Sequence, residues 1–269
     1  MNICLFSEAE LNKVLVWSDE RAIHLNKVLH KKTGDTFSAG IIGGQAGTAT
    51  ITETIPYTNP KTNKTEISYR FDFKPESDGK ILFPLKMIIG FPRPIQLKRL
   101  LRDIAGLGVC EVHLTGTELG EKSYMQSTLV ERGAAYKMLL DGTVQAASTH
   151  VPALFLHQDL KECLESIQEK KPKLLQSAQN TKFALDNVRP ESSLQNLVSK
   201  FCIEPDEIKK SGINFIAAIG SERGWTDAER ALLAEKGFTL CSMGKRVLRT
   251  ETAATVSASI ILSSLGFLD

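Results

Sequence analysis

Hydrophobic positions follow two different rhythms on either side of residue 80. Up to Phe73 they alternate with polar residues or sit in β-branched stretches, at Phe37 to Ile42, Thr48 to Pro56 and Tyr69 to Phe73. Alternation marks a strand with one buried face, and Tyr69 to Phe73 reads as an edge strand. Gly43-Gly44 and Gly47, between the first two stretches, predict a hairpin. One helix accompanies these strands, Ser18 to Lys32, with Ser18 as N-cap and Ile23, Val28 and Leu29 as core residues. From Leu85 onward the strand candidates are short and mostly dense in apolar residues: Leu85 to Phe91, Cys110 to Leu114, Leu174-Leu175, Ile213 to Ile219 and Phe238 to Met243. Such runs suit strands buried on both faces of a parallel sheet. Helical patterns separate them, at Ile95 to Ala105, Ser127 to Ala147 (broken at Gly133 and Gly142), Asp159 to Glu169, Ser192 to Phe201 and Glu251 to Leu265. Val256, Ile260 and Ile261 are the apolar residues of the last. Another helix starts at Thr226, where Thr226 and Glu229 have capping-box spacing. Thr181 to Pro190 reads as polar loop and Asp206 to Ser211 as a connector. Alternating strands and helices predict an α/β fold.

Pro75-Glu76-Ser77-Asp78-Gly79-Lys80, closed by Pro84, resists joining a core and predicts a linker. The expected organisation is therefore a small β-barrel domain over 1–74, a linker over 75–84 and an α/β domain over 85–269.

Composition changes this picture little. The net charge is +2, from 33 Lys and Arg against 31 Asp and Glu, so a surface for a polyanion has to be a local patch. His24, Lys27 and Lys31, spaced three and four apart, share a helix face that is either simply solvated or a phosphate-contacting stripe. Lys86, Arg93, Lys98, Arg99 and Arg102 meet no acid before Asp103 and favour contact with a polyanion. Five scattered cysteines without a Cys-x-x-Cys argue against a disulfide framework or a zinc site and suit a reducing cytoplasm. His113, His150 and His157 share no ligand spacing, so they are expected to be structural or surface residues and no metal site is expected. The first residues lack a signal-peptide pattern, and no apolar run approaches the roughly 20 residues of a membrane span.

Two stretches carry candidate chemistry. Ile213 to Ile219 feeds Gly220-Ser221-Glu222-Arg223-Gly224-Trp225, and Phe238 to Met243 feeds Gly244-Lys245-Arg246-Val247-Leu248-Arg249-Thr250-Glu251-Thr252-Ala253. Two strand–glycine–helix units in succession place two loops at the carboxyl ends of neighbouring strands, where open α/β sheets bind ligands. Neither loop has the phosphate-binding glycine patterns of nucleotide or dinucleotide sites.

The second loop is similar to the Leu-Gly-x-x-Ile-Leu-Arg-x-Glu-Thr-Ala segment of SPOUT methyltransferases, specifically the family of ribosomal RNA small subunit methyltransferase E. The first resembles that family's Gly-Pro-Glu-Gly-Gly loop, with Ser221 in place of proline and Arg223 in place of glycine. Gln145 matches the family near its helix end, whereas Val144 and Ser148 depart from it. The resemblance implies a parallel sheet with a carboxy-terminal trefoil knot, a PUA-like RNA-binding barrel before it, and a homodimer. It implies S-adenosylmethionine as cofactor, held by Ile219, Gly220, Ser221, Glu222, Gly224, Met243, Gly244, Val247, Leu248 and Thr252. The implied acceptor is N3 of a uridine in small-subunit (16S) ribosomal RNA. Arg249 would stabilise the developing uracil anion; its alternatives are pairing with Glu251 or holding the helix start. Arg223 would hold the methionine carboxylate of the cofactor or a phosphate, or face water. RNA contacts fall to His24, Lys27, Lys31, Arg93, Lys98, Arg99 and Arg102. A non-catalytic RNA-binding protein, or an enzyme for another RNA nucleotide, is the competing expectation.

Overall fold

The computed structural model describes residues 2–58, 60, 63–126, 133–167, 181–201 and 203–268. The chain forms two compact units, one comprising Met1–Ile81 with Thr143–Val151, the other Leu82–Gly142 with Pro152–Asp269.

In the first unit, β1 (Cys4–Phe6) leads through a short 3-10 turn (Glu8–Glu10) to α1 (Glu20–Lys27), β2 (Thr36–Ile41), β3 (Ala46–Thr58) and β4 (Thr65–Ser77). They make a four-stranded sheet in that order, β1 parallel to β2 and the others antiparallel. The hairpin expected around Gly43-Gly44 joins β2 to β3, and Tyr69 to Phe73 lies in the edge strand β4. Phe6, Leu25, Phe37, Ile51, Tyr69 and Phe71 fill the core.

The helix is shorter than its pattern suggested. Asp19, not Ser18, caps it, accepting from the Arg21 N–H at 2.8 Å. Ala22 and Leu25 point into the core, while Val28 and Leu29 lie past the last turn at 60% and 44% exposure. Lys31 is therefore off the helix and shares no face with His24 and Lys27, and Lys27 already faces Glu66 at 3.7 Å. The segment expected to be a linker is partly strand, since Pro75 and Ser77 pair with Gly47 and Ala46. A proline is tolerated there because β4 is an edge. Sequence reading also missed the return of Thr143–Val151 to this unit. Thr149 accepts from the Gly43 N–H at 2.8 Å and donates its hydroxyl to Gly44 O at 2.6 Å, while Ser148 Oγ donates to Lys80 O at 2.8 Å.

Arg21 ties the unit's amino-terminal arm to α1. Its guanidinium reaches Glu10 and Asp19 at 2.7 Å each and Leu5 O at 2.6 Å, and sits 4.5 Å over the Phe6 ring. Burial alone would raise the Glu10 carboxyl, but hydrogen bonds from Arg21 and Ser7 outweigh it and hold it at about 2. A carboxyl depressed on folding adds stability above its unfolded value, and that stability is lost as pH falls. This unit should accordingly lose stability between about pH 4.5 and pH 2. Glu10→Gln should flatten that part of a pH series of thermal melts.

The second unit contains β5 (Phe83–Gly90), α2 (Pro94–Leu107), β6 (Val109–Thr115), α3 (Lys122–Met125), α4 (Ala134–Gln145), β7 (Ala153–His157), α5 (Leu160–Ser166), β8 (Lys182–Leu185), β9 (Ser192–Ser193), α6 (Leu194–Val198), α7 (Pro205–Ser211), β10 (Phe215–Ile219), α8 (Asp227–Glu235), β11 (Thr239–Ser242) and α9 (Thr250–Ser264). Among the described residues, seven parallel strands run in the order β7-β6-β5-β10-β8-β11-β9. The predicted parallel α/β architecture is thus present.

Three expectations are corrected. Thr181 to Pro190 is not all loop, because Lys182–Leu185 is the interior strand β8 with Phe183 and Ala184 buried. Its run is too short and too diluted by Lys182 to stand out, and the Lys182 ammonium is absorbed by Lys236 O at 2.8 Å. Gly142 does not break its helix; an added Cβ would collide with the Arg102 carbonyl of α2, so glycine permits the two helices to approach. Asp206 to Ser211 is a helical turn, α7, rather than a connector. In α9 the buried face is mostly small: Ala253, Ala254, Ser257 and Ala258 with Ile261 and Leu262. Val256 and Ile260 are only half-buried. Leu174-Leu175, the start of Ser127 to Ala147 and the end of Asp159 to Glu169 lie outside the described residues. No described helix is long and apolar enough to cross a membrane.

Candidate functional site

Register builds the site. Ile89 of β5 lies opposite Ile219 of β10, Ile219 opposite Leu185 of β8, and Leu185 opposite Cys241 of β11. The segments after these residues therefore leave the sheet side by side at its carboxyl edge. The first is Gly220 to Trp225, which folds back on itself: Gly224 N–H donates to Ser221 O at 2.9 Å, with Gly224 at φ +74. A left-handed φ of this kind favours glycine. Trp225 Nε1 then donates to Leu185 O at 3.0 Å and pins the loop to β8. The chain restarts at Thr226, whose hydroxyl accepts from Glu229 N–H at 3.1 Å while the Glu229 carboxylate accepts from Thr226 N–H at 2.9 Å. The expected capping box is formed. The second segment, Met243 to Leu248, ends at the start of α9, where Thr250 Oγ1 donates to Gly220 O at 3.5 Å and joins the two loops.

Together they enclose a cavity of about 200 Å³. Its floor is apolar, with Leu185, Ile219, Trp225, Met243 and Leu248, and the Cys241 thiol is pushed up to about 12 by burial, so it serves as a neutral wall. Polar groups join this lining. Ser221 is buried and its hydroxyl oxygen finds no partner among the described residues. Asp186, also buried, accepts from Val188 N–H at 2.7 Å and from Arg230 Nε at 2.5 Å. Arg230, held charged by that hydrogen bond above all, reaches Asp227 as well at 2.9 Å. An unsatisfied buried hydroxyl costs free energy until a ligand or water pairs with it. The slot has an apolar floor, a glycine frame and the unpartnered Ser221 hydroxyl in its wall, which suits a flat ligand with a hydrogen-bonding edge.

Of the residues expected to hold a cofactor, Ile219, Gly220, Ser221, Glu222, Gly224, Met243, Val247 and Leu248 line this cavity. Gly244 and Thr252 do not. Gly244 supplies the turn at φ +102, and Thr252 is exposed on the outer side of α9. Arg249 is the exposed N-cap residue of α9; its side chain makes neither a capping hydrogen bond nor an ion pair to Glu251 among the described residues. Arg223 pairs with Glu121 at 3.3 Å, a partner the sequence reading did not name. Sequence reading missed Asp186, Asn187, Val188 and Arg230, all wall residues. The one available signal was Phe183-Ala184-Leu185 ahead of Asp186-Asn187, an apolar run into a turn.

The patch of α2 is less free than its sequence suggests. Lys86 is buried and pairs with Glu111 at 3.0 Å, Arg93 with Glu222 at 3.1 Å, Arg99 with Asp103 at 3.7 Å and Arg102 with Asp141 at 2.6 Å. Lys98 is exposed without an ion pair among the described residues. Asp103 is the i+4 neighbour of Arg99 within α2, but Glu111, Glu222 and Asp141 come from other elements, so no local spacing reveals them.

Gly90 supplies a direct test of the cavity. A Cβ there would lie 2.5 Å from Ser221 N and 2.9 Å from Gly220 C, both backbone atoms that cannot swing aside. Gly90→Ala should displace the first loop and weaken ligand binding at least about tenfold, an affinity change of roughly 1.4 kcal/mol, as read by calorimetry.

A larger cavity, about 680 Å³, opens at the ends of β5, β6 and β7. Its wall carries Glu118, Glu121 and Asp159 against Lys122, so it repels anions and lacks the paired glycine turns.

The model of the RNA methyltransferase domain family matches residues 80–262. Ribosomal RNA small subunit methyltransferase E of Treponema pallidum is 36% identical over 98% of this chain and 91% of its own length. Ribosomal RNA small subunit methyltransferase E 1 of Borreliella burgdorferi is 31% identical over 98% of each. Among solved structures, ribosomal RNA small subunit methyltransferase E of Neisseria gonorrhoeae bound to S-adenosyl methionine superposes with a TM-score of 0.65, at 19% identity over 98% of this chain and 97% of that one. A Legionella pneumophila protein in complex with the same cofactor gives 0.70, with the same identity and coverage. At this identity the two structures speak for the fold.

Proposed function

This chain belongs to the RNA methyltransferase family of ribosomal RNA small subunit methyltransferase E, and we propose that it methylates N3 of a uridine in small-subunit ribosomal RNA. The observation that carries the reading is the cavity between the two glycine-framed loops, with the unpartnered Ser221 hydroxyl in its wall. Those residues fit S-adenosylmethionine. Leu185, Ile219, Met243 and Leu248 form an apolar slot for an adenine, and Ser221 with the loop backbone meets its polar edge. When bound, the cofactor supplies an electrophilic methyl group on a sulfonium.

The protein's task is then positioning and charge. Uridine N3 carries a proton near neutrality and becomes nucleophilic as it loses it. Arg249 is the residue assigned to stabilise the resulting uracil anion; what supports this is that it is exposed between the cavity-lining Leu248 and Thr250 and uncommitted to any acid among the described residues. The base has to be unpaired or flipped out to expose N3. Lys98 on α2, with Arg93, Arg99 and Arg102 exchanging their present acids for phosphates, supplies sequence-independent affinity, and His24, Lys27 and Lys31 add to it from the first unit. The four-stranded sheet of that unit suits a PUA-like barrel. The entry of β11 between β8 and β9 suits the trefoil knot. The enzyme works as a cytoplasmic homodimer on the small ribosomal subunit.

Calorimetry of the purified protein with S-adenosylmethionine tests the site. One cofactor per chain is expected, with affinity reduced by Gly90→Ala. A folded protein that binds none would overturn the assignment.

A further inference from the structure

The mechanism above leaves one cluster of chemically competent side chains unused. His113 in β6, His157 at the end of β7 and Cys163 in α5 are 3%, 7% and 0% exposed, and one donor atom from each lies within 4.8 Å of the others. Parallel pairing of β6 with β7 puts His113 opposite Phe155 and Thr115 opposite His157, and α5 follows β7 directly, so three residues without any local spacing meet in one place.

His113 Nδ1 lies 3.0 Å from His157 Nε2, and the other nitrogen of His113 lies 3.2 Å from Glu111 Oε2. Glu111 is itself held by the Lys86 ammonium at 3.0 Å. The His113 ring stacks on Phe155 at 4.7 Å, which fixes its plane. We propose that His113, His157 and Cys163 form a binding site for a borderline divalent transition metal, Zn(II) first among them, with a fourth position open toward the larger cavity.

The donor set decides the class of ion. Two imidazoles and a thiolate match Zn(II), whose bonds of about 2.0–2.3 Å in a tetrahedron need donors roughly 3.3–3.7 Å apart. The two imidazole nitrogens, at 3.0 Å, reach that spacing by parting a few tenths of an ångström, and separations of up to 4.8 Å reach it by closing about one ångström. Glu111 on the far nitrogen of His113 is the carboxylate–histidine arrangement that fixes the tautomer and orients a metal-bound ring. His157 lines the cavity that Gly116, Glu118, Gln158 and Asp159 also border, which supplies the entry path and room for water as fourth ligand.

Protons balance. His113 keeps its proton on the nitrogen facing Glu111, His157 moves its own to Nδ1, and the Cys163 thiol gives its proton to solvent as the sulfur–metal bond forms. Cys163 is fully buried, so the sulfur–metal bond rather than solvent stabilises its thiolate. The charged groups facing the site are Lys86, Glu111 and Glu162, and affinity should fall with acid as the ligands are reprotonated.

Co(II) serves as the probe, added to chelator-treated full-length protein. The expected result is one cobalt per chain, with tetrahedral d–d absorption and a thiolate-to-cobalt charge-transfer band, both displaced by Zn(II). Cys163→Ser should lose the charge-transfer band, Cys110→Ser should keep it, and Glu111→Gln should bind about 10–100-fold more weakly. Absence of the band in folded wild-type protein would overturn the site, as would its persistence in a Cys163→Ser protein with native circular dichroism. Should Cys163→Ser fail to fold, a chain with Cys4, Cys110, Cys202 and Cys241 all changed to Ser takes its place. Retention of the band there supports the site, and its loss in that protein, folded by circular dichroism, contradicts it.

Discussion

Arg249→Ala is expected to lower methyl transfer about 10²–10³-fold, the usual consequence of removing one group that stabilises developing negative charge. Thermal stability and cofactor affinity should both hold. The structure separates these outcomes. The Arg249 side chain is exposed, makes no capping hydrogen bond and lines no part of the cavity, so its removal leaves no buried group unpaired. The loss should fall on kcat rather than on cofactor binding. Arg249→Lys should recover part of the rate, since it keeps the charge but not the planar fork of donors. Turnover unchanged in Arg249→Ala would remove this residue from the mechanism.

Asp186→Ala is expected to destabilise the second unit by about 3–5 kcal/mol, because it leaves the guanidinium of Arg230 buried without its main partner. The Asp186 side chain is 2% exposed and that of Arg230 11%, and the Val188 N–H loses its acceptor too. The melting temperature should drop on the order of 10 °C for a unit of this size. Because Asp186 and Arg230 both line the cavity, cofactor affinity should fall with stability. The pair Asp186→Leu with Arg230→Met should regain much of the stability, as apolar replacements of buried ion pairs often do. A single variant within about 1 kcal/mol of wild type in denaturant unfolding would mean that the pair is not buried in solution as it is here.

Much of the second unit was readable because its strands are hydrophobic enough to stand alone. Leu85 to Phe91, Ile213 to Ile219 and Phe238 to Met243 became β5, β10 and β11, and Gly220 to Trp225 and Met243 to Leu248 became the loops at their ends. What failed is what depends on partners far away in sequence. β8 is invisible because four residues beginning with Lys182 carry little pattern; it is made a strand by β10 and β11 on either side. Asp186 looks like a turn residue until α8 brings Arg230 to it. His113, His157 and Cys163 have no motif spacing, and only the β6–β7 pairing and α5 gather them. The cationic reading of α2 overcounted free charge for the same reason, since Glu111, Asp141 and Glu222 approach from β6, α4 and the first loop. In the first unit, local pattern overextended α1 past Lys27, where burial, not periodicity, decides the end.

The measurement that bears most directly on the account is transfer of labelled methyl from S-adenosylmethionine to small ribosomal subunits lacking their native modification, with the labelled nucleoside mapped by mass spectrometry. The predicted result is label on N3 of a uridine in the small-subunit RNA, abolished by Arg249→Ala. Label on another nucleotide, or none from protein that binds the cofactor, would contradict the proposed acceptor.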